Sequence, residues 1–263
     1  NKENALKYGI VASKDADKIV PYIDITIDRA IAKNTILMLD ILNNFDWKRP
    51  IYFTNAGAEL GFDQYLRRDG LSYRLAPVKN SKVNTNWMLD KLTNKFAFGN
   101  ADKPGVYFDE ENRRHLGSIR AAYAELAIDL AAKNRKEEAK AVLNKVDKMM
   151  HESNFGYGLT SRGNLHNRNS LLFLEACYLA GDQALIQKVS AAVKKDLEQQ
   201  VSYLNSLPEH MQEQMSGELD DVKRLLMGMQ QVEQQFNKAA LPTALENPGQ
   251  IKNTPAIPKA SGQ

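Results

Sequence analysis

Two hydrophobic periods alternate over the first hundred residues. Apolar and polar residues alternate over 19–28 (IVPYIDITID) and again over 71–78 (LSYRLAPV), with β-branched residues in the first stretch. This period of two predicts strands. Residues 50–54 (PIYFT) form a third, shorter apolar run, and Pro50 occupies the first position, where a strand tolerates the missing N–H donor.

Helical spacing separates these runs. Residues 34–45 begin at an Asn or Thr cap and place Ile36, Leu39 and Leu42 at helical spacing with one another. Further helices are predicted around 58–68 and over 84–95. The order strand, helix, strand, helix, strand predicts a small α/β layer whose neighbouring strands run parallel.

The pattern is helical throughout after Pro104-Gly105. It predicts two helical hairpins, one turning at Lys133-Asn134 and the other at Gly181-Asp182. Their helices are expected over 109–132 and 135–151, and over 167–180 and 183–204. Repeated helix pairs are typical of tetratricopeptide-like packing. The residues expected to pack in the first pair are Tyr123, Ala124, Leu126, Ala127 and Ala139.

These periods predict a mixed α+β chain. A small α/β domain of about three strands is expected over 1–105, and a helical-repeat-like domain over 106–239. Residues 240–263 hold four of the nine prolines and are expected to form a tail or linker.

The last predicted helix, over 209–238, has an apolar seam with steps of three and four residues. The seam contains Met211, Met215, Leu219, Val222, Leu226, Met229, Val232 and Phe236. Such a seam packs on the preceding helix or receives a helix from a partner, and the sequence leaves both interpretations open.

Composition and charge are those of an ordinary folded protein. The 35 basic and 32 acidic residues nearly balance, which gives no case for nucleic-acid binding. No apolar run approaches the length of a membrane span. The single cysteine, Cys177, lies in an apolar helical stretch and is interpreted as a buried thiol. The chain starts at Asn1 with no initiator Met or signal peptide, so we expect a longer parent protein.

No catalytic, metal or cofactor motif is identified. The Gly-rich stretch at 156–163 lacks the spacing and the Lys-Ser/Thr ending of a phosphate loop. His151-Glu152 begins a zinc-protease motif, but Phe155 occupies the position of the second histidine. We therefore expect no catalytic residue, no metal and no cofactor in this chain.

Two groups of polar residues are candidate binding sites. The first comprises Arg49, Asp69, Tyr73 and Arg74, near predicted strand ends, where ligands of α/β layers often bind. Structural ion pairing is the alternative. The second is the polar loop 152–168, with Tyr157, Arg162, His166 and Arg168. This loop is interpreted as a contact loop or as a plain solvated connector between the hairpins.

The front half resembles a known family of bacterial membrane proteins. The similarity lies in LDILNNFDWKRPIYFT at 39–54, DQYLRRDGLSYRLAPV at 63–78 and PGVYFDEENRR at 104–114. Trp47–Phe53 and Asp69–Leu75 carry most of it. These stretches resemble the C-terminal region of domain-of-unknown-function family 2723, which is related to a vertebrate protein O-mannosyltransferase. The similarity covers roughly residues 20–180.

The resemblance implies a role beside a membrane enzyme. Family members have many N-terminal membrane helices that hold a glycosyltransferase site, and a C-terminal part outside the cytoplasm. This chain would be a non-catalytic, extracytoplasmic (periplasmic) accessory domain. Its partners would be the membrane-embedded part of the same polypeptide and an acceptor protein or peptide.

Two other functions stay open. One is a free-standing helical-repeat adaptor that binds a peptide or protein in the groove of its helix pairs. The other is a small-molecule enzyme that uses the strand-end residues Arg49, Asp69, Tyr73 and Arg74. A deep pocket around those side chains would favour the enzyme, whereas mutual pairing closed off from solvent would argue against it.

Overall fold

A three-stranded antiparallel sheet is the β component of the fold. The computed structural model describes residues 2–26, 31–55 and 59–240. Within them, β1 is Tyr52–Phe53, β2 is Leu66–Asp69 and β3 is Ser72–Leu75, in the order β1-β3-β2. Both pairings are antiparallel. The mixed α+β class is confirmed, whereas the expectation of parallel neighbours is wrong.

The β2–β3 hairpin explains why these strands pair antiparallel and not parallel. Gly70 and Leu71 alone connect the two strands, and Gly70 has a φ of 70°. A two-residue connection joins only antiparallel neighbours, because parallel strands need a crossover of a dozen or more residues. Where a helix is predicted over 58–68, the structure has a 3-10 helix at Glu59–Tyr65, and β2 follows it directly. Residue 58, the first of the predicted helix, lies outside the described part. Leu60 and Gly61 have positive φ values and interrupt it.

The predicted strand over 19–28 is wrong for residues 19–26, and its last two residues lie outside the described part. No strand forms there, although Val20 N donates to Pro77 O and Thr26 N donates to Leu60 O. Pro21 has no N–H for a ladder. Ile19, Val20 and Ile23 instead pack their side chains partly buried against the core, whereas Tyr22 and Ile25 are exposed, so burial here does not follow the alternating pattern.

Ten α-helices make up most of the described chain. They are α1 (Lys2–Lys7), α2 (Lys33–Asn43), α3 (Thr85–Asn94), α4 (Glu110–Ala132), α5 (Lys136–Met149), α6 (Glu152–Phe155), α7 (Leu165–Ala180), α8 (Gln183–Ser206), α9 (Glu209–Gln214) and α10 (Ser216–Ala240). Short 3-10 helices also occupy Ser13–Lys18 and Arg162–Asn164. The helical-hairpin region is therefore confirmed. The helix predicted over 209–238 is divided at Met215 into α9 and α10.

The hairpin turns end at left-handed residues. Asn134 (φ 60°) follows α4 and Gly181 (φ 76°) follows α7. After each turn a backbone N–H returns to the helix, Arg135 N to Leu130 O and Asp182 N to Cys177 O. This is the Schellman pattern, which satisfies carbonyls at a helix C-terminus. Asp182 then caps α8, since its carboxylate accepts from Leu185 N at 3.2 Å.

The chain divides into two compact units. Unit 1 contains the described residues of 1–99 and 122–146, and unit 2 those of 100–121 and 147–263. The core of unit 1 includes Phe62, Tyr65, Leu75, Met88 and Leu126, all nearly or completely buried. The residues expected to pack between the helices of the first hairpin (Tyr123, Ala124, Leu126, Ala127 and Ala139) are fully buried. The predicted domain boundaries at 105 and 239 stay predictions.

The core of unit 2 lies among α7, α8 and α10. Phe173, Leu174, Val189, Val193 and Leu197 are fully buried there. The seam of α10 contributes Val222 and Met229, which are also buried. Phe236 stacks on Tyr178 of α7 with ring centroids 4.9 Å apart. Much of the seam therefore packs within unit 2, as the intramolecular interpretation predicts.

Candidate functional site

The β2–β3 hairpin separates the strand-end charges onto two faces. Its register places Arg67 opposite Arg74, and Arg68 opposite Tyr73. Side chains alternate between the faces of a strand, so Arg67, Asp69 and Arg74 share one face while Arg68 and Tyr73 share the other.

Asp69 is the centre of the first face. It is 5% exposed, its Oδ1 accepts from Arg67 Nε at 3.2 Å, and Arg74 Nη1 lies 3.8 Å from its Oδ2. Arg67 also donates to Ile10 O. Arg74 has its guanidinium 5.8 Å from the Tyr52 ring, and its Nε is buried without a hydrogen-bond partner. The carboxylate is thus neutralised by two guanidinium groups of its own hairpin.

Arg68 is the centre of the second face. It donates to Gly70 O at 3.0 Å, to the Tyr73 hydroxyl at 3.0 Å and to Glu125 Oε1 of α4 at 2.5 Å. Burial, together with the negative charge of Glu125, raises the pKa of Tyr73. This buried network attaches the hairpin to α4 within unit 1.

The predicted strand-end group does not assemble into one site. Asp69 and Arg74 meet, Tyr73 lies on the opposite face, and Arg49 is exposed ahead of β1. The charged groups that meet are paired with each other and largely closed off from solvent, which argues against the small-molecule enzyme. The sequence groups Asp69 with Arg74, and these two side chains do meet. It gave no sign of Glu125, which α4 supplies to Arg68.

Arg120 organises the second candidate group, the segment 152–168 in unit 2. This residue of α4 is 2% exposed, and its guanidinium donates to Phe155 O at 2.6 Å and to Gly156 O at 3.0 Å. It also lies 4.3 Å from the ring centroids of both Phe155 and Tyr157. Burial lowers the pKa of Arg120 to about 10, so the group is still cationic at neutral pH. Arg120 is the one charged residue in the stretch IRAAYA, which is otherwise apolar, and that isolation is the signal that could have revealed it.

Tyr157 and His166 are buried beside this guanidinium. The Tyr157 hydroxyl donates to Asp147 Oδ1 at 2.9 Å, and Lys188 Nζ lies 2.6 Å from the same oxygen. His166 Nε2 lies 2.8 Å from Gly156 O, so this nitrogen carries the proton and donates. Burial, reinforced by the positive charge of Arg120, lowers the pKa of His166 to about 4. The imidazole is therefore neutral at neutral pH.

Close approach to α8 fixes the middle of the segment. A Cβ built on Gly158 would lie 2.2 Å from Ala192 O, so only glycine fits there. Asn167 accepts from Leu159 N and donates to Asp196 Oδ2 at 2.7 Å, and Gln200 donates to the same oxygen. Arg168 pairs with Asp221 of α10, whereas Arg162 is exposed. Of the four predicted loop residues, Tyr157 and His166 are buried and make internal hydrogen bonds, and Arg168 is in an ion pair. Arg162 is the one of the four whose side chain is exposed for an outside contact.

An open groove lies between α3 and α5 in unit 1. It has a volume of about 430 Å³. Leu89, Ala141 and Val142 supply an apolar floor, and Asn86, Asp90 and Glu138 supply polar groups. Across residues 2–26, 31–55 and 59–240, no three His, Cys, Asp or Glu side chains converge as metal ligands.

The family comparison concerns the part of the chain that contains the sheet. Residues 1–93 match the family model of TMEM260-associated domain 2. The match covers just over a third of the chain and includes α1, α2, all three strands and all of α3 but its last residue. It links this part of the chain to a membrane-protein family and indicates an accessory domain of such a protein. No curated protein and no solved structure matches the chain. None of the helices in the described ranges has the length and apolar character needed to cross a membrane.

Proposed function

We propose that this chain is a non-catalytic, extracytoplasmic accessory domain of a multi-pass membrane glycosyltransferase-like protein of family 2723. Its role would be to dock on the membrane-embedded part or to present the acceptor protein. The observation that carries the proposal is the match of residues 1–93 to a TMEM260-associated domain.

The state of the polar side chains supports a non-catalytic role. A general acid or base must reach its substrate, and a nucleophile must be activated by a neighbouring base. Asp69 is closed off by two arginines, and His166 is buried with its N–H on a backbone carbonyl. Burial raises the pKa of the Cys177 thiol, which opposes thiolate chemistry. These groups stabilise the fold instead of facing a substrate.

The docking role is tested by producing this chain and the membrane-embedded region as separate polypeptides. The gene that encodes this chain is expected to encode a long hydrophobic region upstream. That region, expressed with an affinity tag and purified in detergent, should retain the chain supplied as a separate polypeptide. A gene with no such region, or a membrane part that never retains the folded chain, would contradict the proposal.

The groove between α3 and α5 favours one second candidate, a peptide-binding adaptor. Its apolar floor and polar rim offer contacts to both the side chains and the backbone of an extended segment. Leu89→Lys would place a charge in the groove, whereas Trp87→Lys alters the same helix outside the groove lining. The adaptor predicts that a peptide library binds the wild type and the Trp87 variant but not the Leu89 variant. Equal binding by all three would exclude the groove.

A further inference from the structure

Helix α2 presents an apolar face that the described chain does not cover. Its inner side chains, Met38, Leu39 and Leu42, pack partly buried against the core of unit 1. Ile36, Leu37 and Ile41 point the other way and are 57%, 56% and 59% exposed. Single exposed apolar residues are common on protein surfaces, but three on two turns of one short helix mark a contact surface.

Two opposite charges lie on this face. Lys33 and Asp40 are seven residues, or two helical turns, apart, so they lie on the same side of α2 as Leu37. Both are exposed, and neither makes an ion pair with any residue in the described part of the chain. Ile36 and Leu37 lie midway between them in the sequence.

This pattern is complementary to itself. In an antiparallel pair of α2 helices with a two-fold axis between Ile36 and Leu37, positions 33 and 40 are equidistant from the axis. Lys33 of each copy then faces Asp40 of the other, while Ile36 and Leu37 of both copies pack between the charges. We propose that the outer face of α2 is a homodimer interface and that its occupant is the α2 helix of a second copy.

Asp40 decides between a second copy and a lipid surface. It lies within the apolar face, so insertion into a bilayer would bring an ionised carboxylate into lipid without a counter-charge. A second copy supplies Lys33 at that position. A parallel arrangement would place like charges opposite each other, so the orientation is also specified.

The contact area is small, which sets the strength of the association. An 11-residue helix is about 16 Å long. One helix pair buries less than the roughly 1,200 Å² of a standard stable interface. Ile31, 49% exposed just before α2, extends the apolar surface. We therefore expect a weak dimer, with a Kd of micromolar or higher.

Charge reversal and its rescue test the interface. Sedimentation equilibrium of the 263-residue chain is compared among the wild type, Asp40→Lys, Lys33→Asp and the double variant Lys33→Asp/Asp40→Lys. The double variant exchanges the two charges and keeps their self-complementarity. Each single variant should raise the dimer Kd roughly tenfold or more, because two attractive pairs become repulsive in each dimer. The double variant should restore it. Circular dichroism and the unfolding midpoint confirm that each variant is folded.

Two results would overturn the interface. One is a wild-type chain that stays monomeric up to about 1 mM. The other is a double variant that associates no better than the single variants. Leu37→Gln gives an uncharged check and should weaken the dimer at both low and high salt, whereas the charge variants should differ most at low salt. A monomeric chain that sediments with phosphatidylcholine vesicles and loses this binding in Leu37→Gln would assign the face to lipid instead.

Discussion

Arg120 shows how one buried cation can order a polar segment. Its guanidinium donates to two carbonyls of the 152–168 segment and lies against two aromatic rings. A buried carbonyl that loses its donor costs more than an exposed hydrogen bond contributes. The segment is therefore held by residue-level contacts, although its Gly-rich, polar composition is typical of a free loop.

We expect Arg120→Leu to destabilise the protein by about 2–4 kcal/mol, because it leaves Phe155 O without this donor and removes the contacts with both rings. Arg114→Leu is the matched control on the same helix, where the arginine is exposed and pairs only with exposed Glu111. That control should stay within about 0.5 kcal/mol of the wild type. Chemical denaturation followed by circular dichroism measures both. Equal effects of the two substitutions would contradict the bracing role.

His166 makes stability depend on pH. Its pKa is about 4 in the fold against the ordinary value of 6.5 for an exposed histidine, so the unfolded chain binds the proton more readily. The contribution of neutral His166 is complete above pH 6.5 and is lost as the pH falls toward 4. Over that window it amounts to about 3 kcal/mol. His166→Gln keeps an N–H donor and removes the titration.

The difference in unfolding free energy between wild type and His166→Gln should therefore shrink as the pH falls through this window. Urea denaturation at a series of pH values measures it. Carboxylates titrate in both proteins and cancel in the difference. A difference that does not change with pH would mean that the histidine is not buried in its neutral form.

At the scale of elements, the long amphipathic helices were predictable and the sheet was only partly so. Helices α4, α5, α7 and α8 follow apolar spacing that extends over several turns, and Asn134 and Gly181 mark their turns. The short strands carry too few residues for their period to be decisive. Residues 19–26 alternate in sequence, but only Ile19, Val20 and Ile23 pack against the core, and they join no ladder. Strand β2 was hidden because its sequence, LRRD, is polar and yet buried through ion pairs.

Replacing glycine by alanine should lower the stability at a turn between helices and raise it inside a helix. Gly181→Ala places a Cβ on a residue with a φ of 76° and should cost about 1–2 kcal/mol. Gly228→Ala lies inside α10, where a Cβ meets nothing within 4 Å, and should stabilise by up to about 1 kcal/mol. Thermal unfolding of both variants beside the wild type checks the signs. A stabilising Gly181→Ala would contradict the left-handed turn.

At the scale of the whole molecule, the state of the candidate site residues was harder to predict than the fold. Polar residues of the types that catalyse reactions were visible in the sequence, but their pairing depends on contacts between positions far apart, such as Arg68 with Glu125 and Lys188 with Asp147. Periodicity reports which face of an element is buried and does not report which charges neutralise each other. The functional proposal therefore depends on the family match over residues 1–93 and on the closed state of the candidate side chains.

Sugar transfer in membranes is the most direct test of that proposal. The assay measures sugar transfer from a lipid-linked donor to a secreted protein. It compares the full-length protein, the protein lacking this region and the isolated chain, with the first two present in membranes at equal amounts. The proposal predicts transfer by the full-length protein, loss on deletion, recovery when the chain is supplied separately, and none by the chain alone. Turnover by the isolated chain, or full activity without this region, would contradict it.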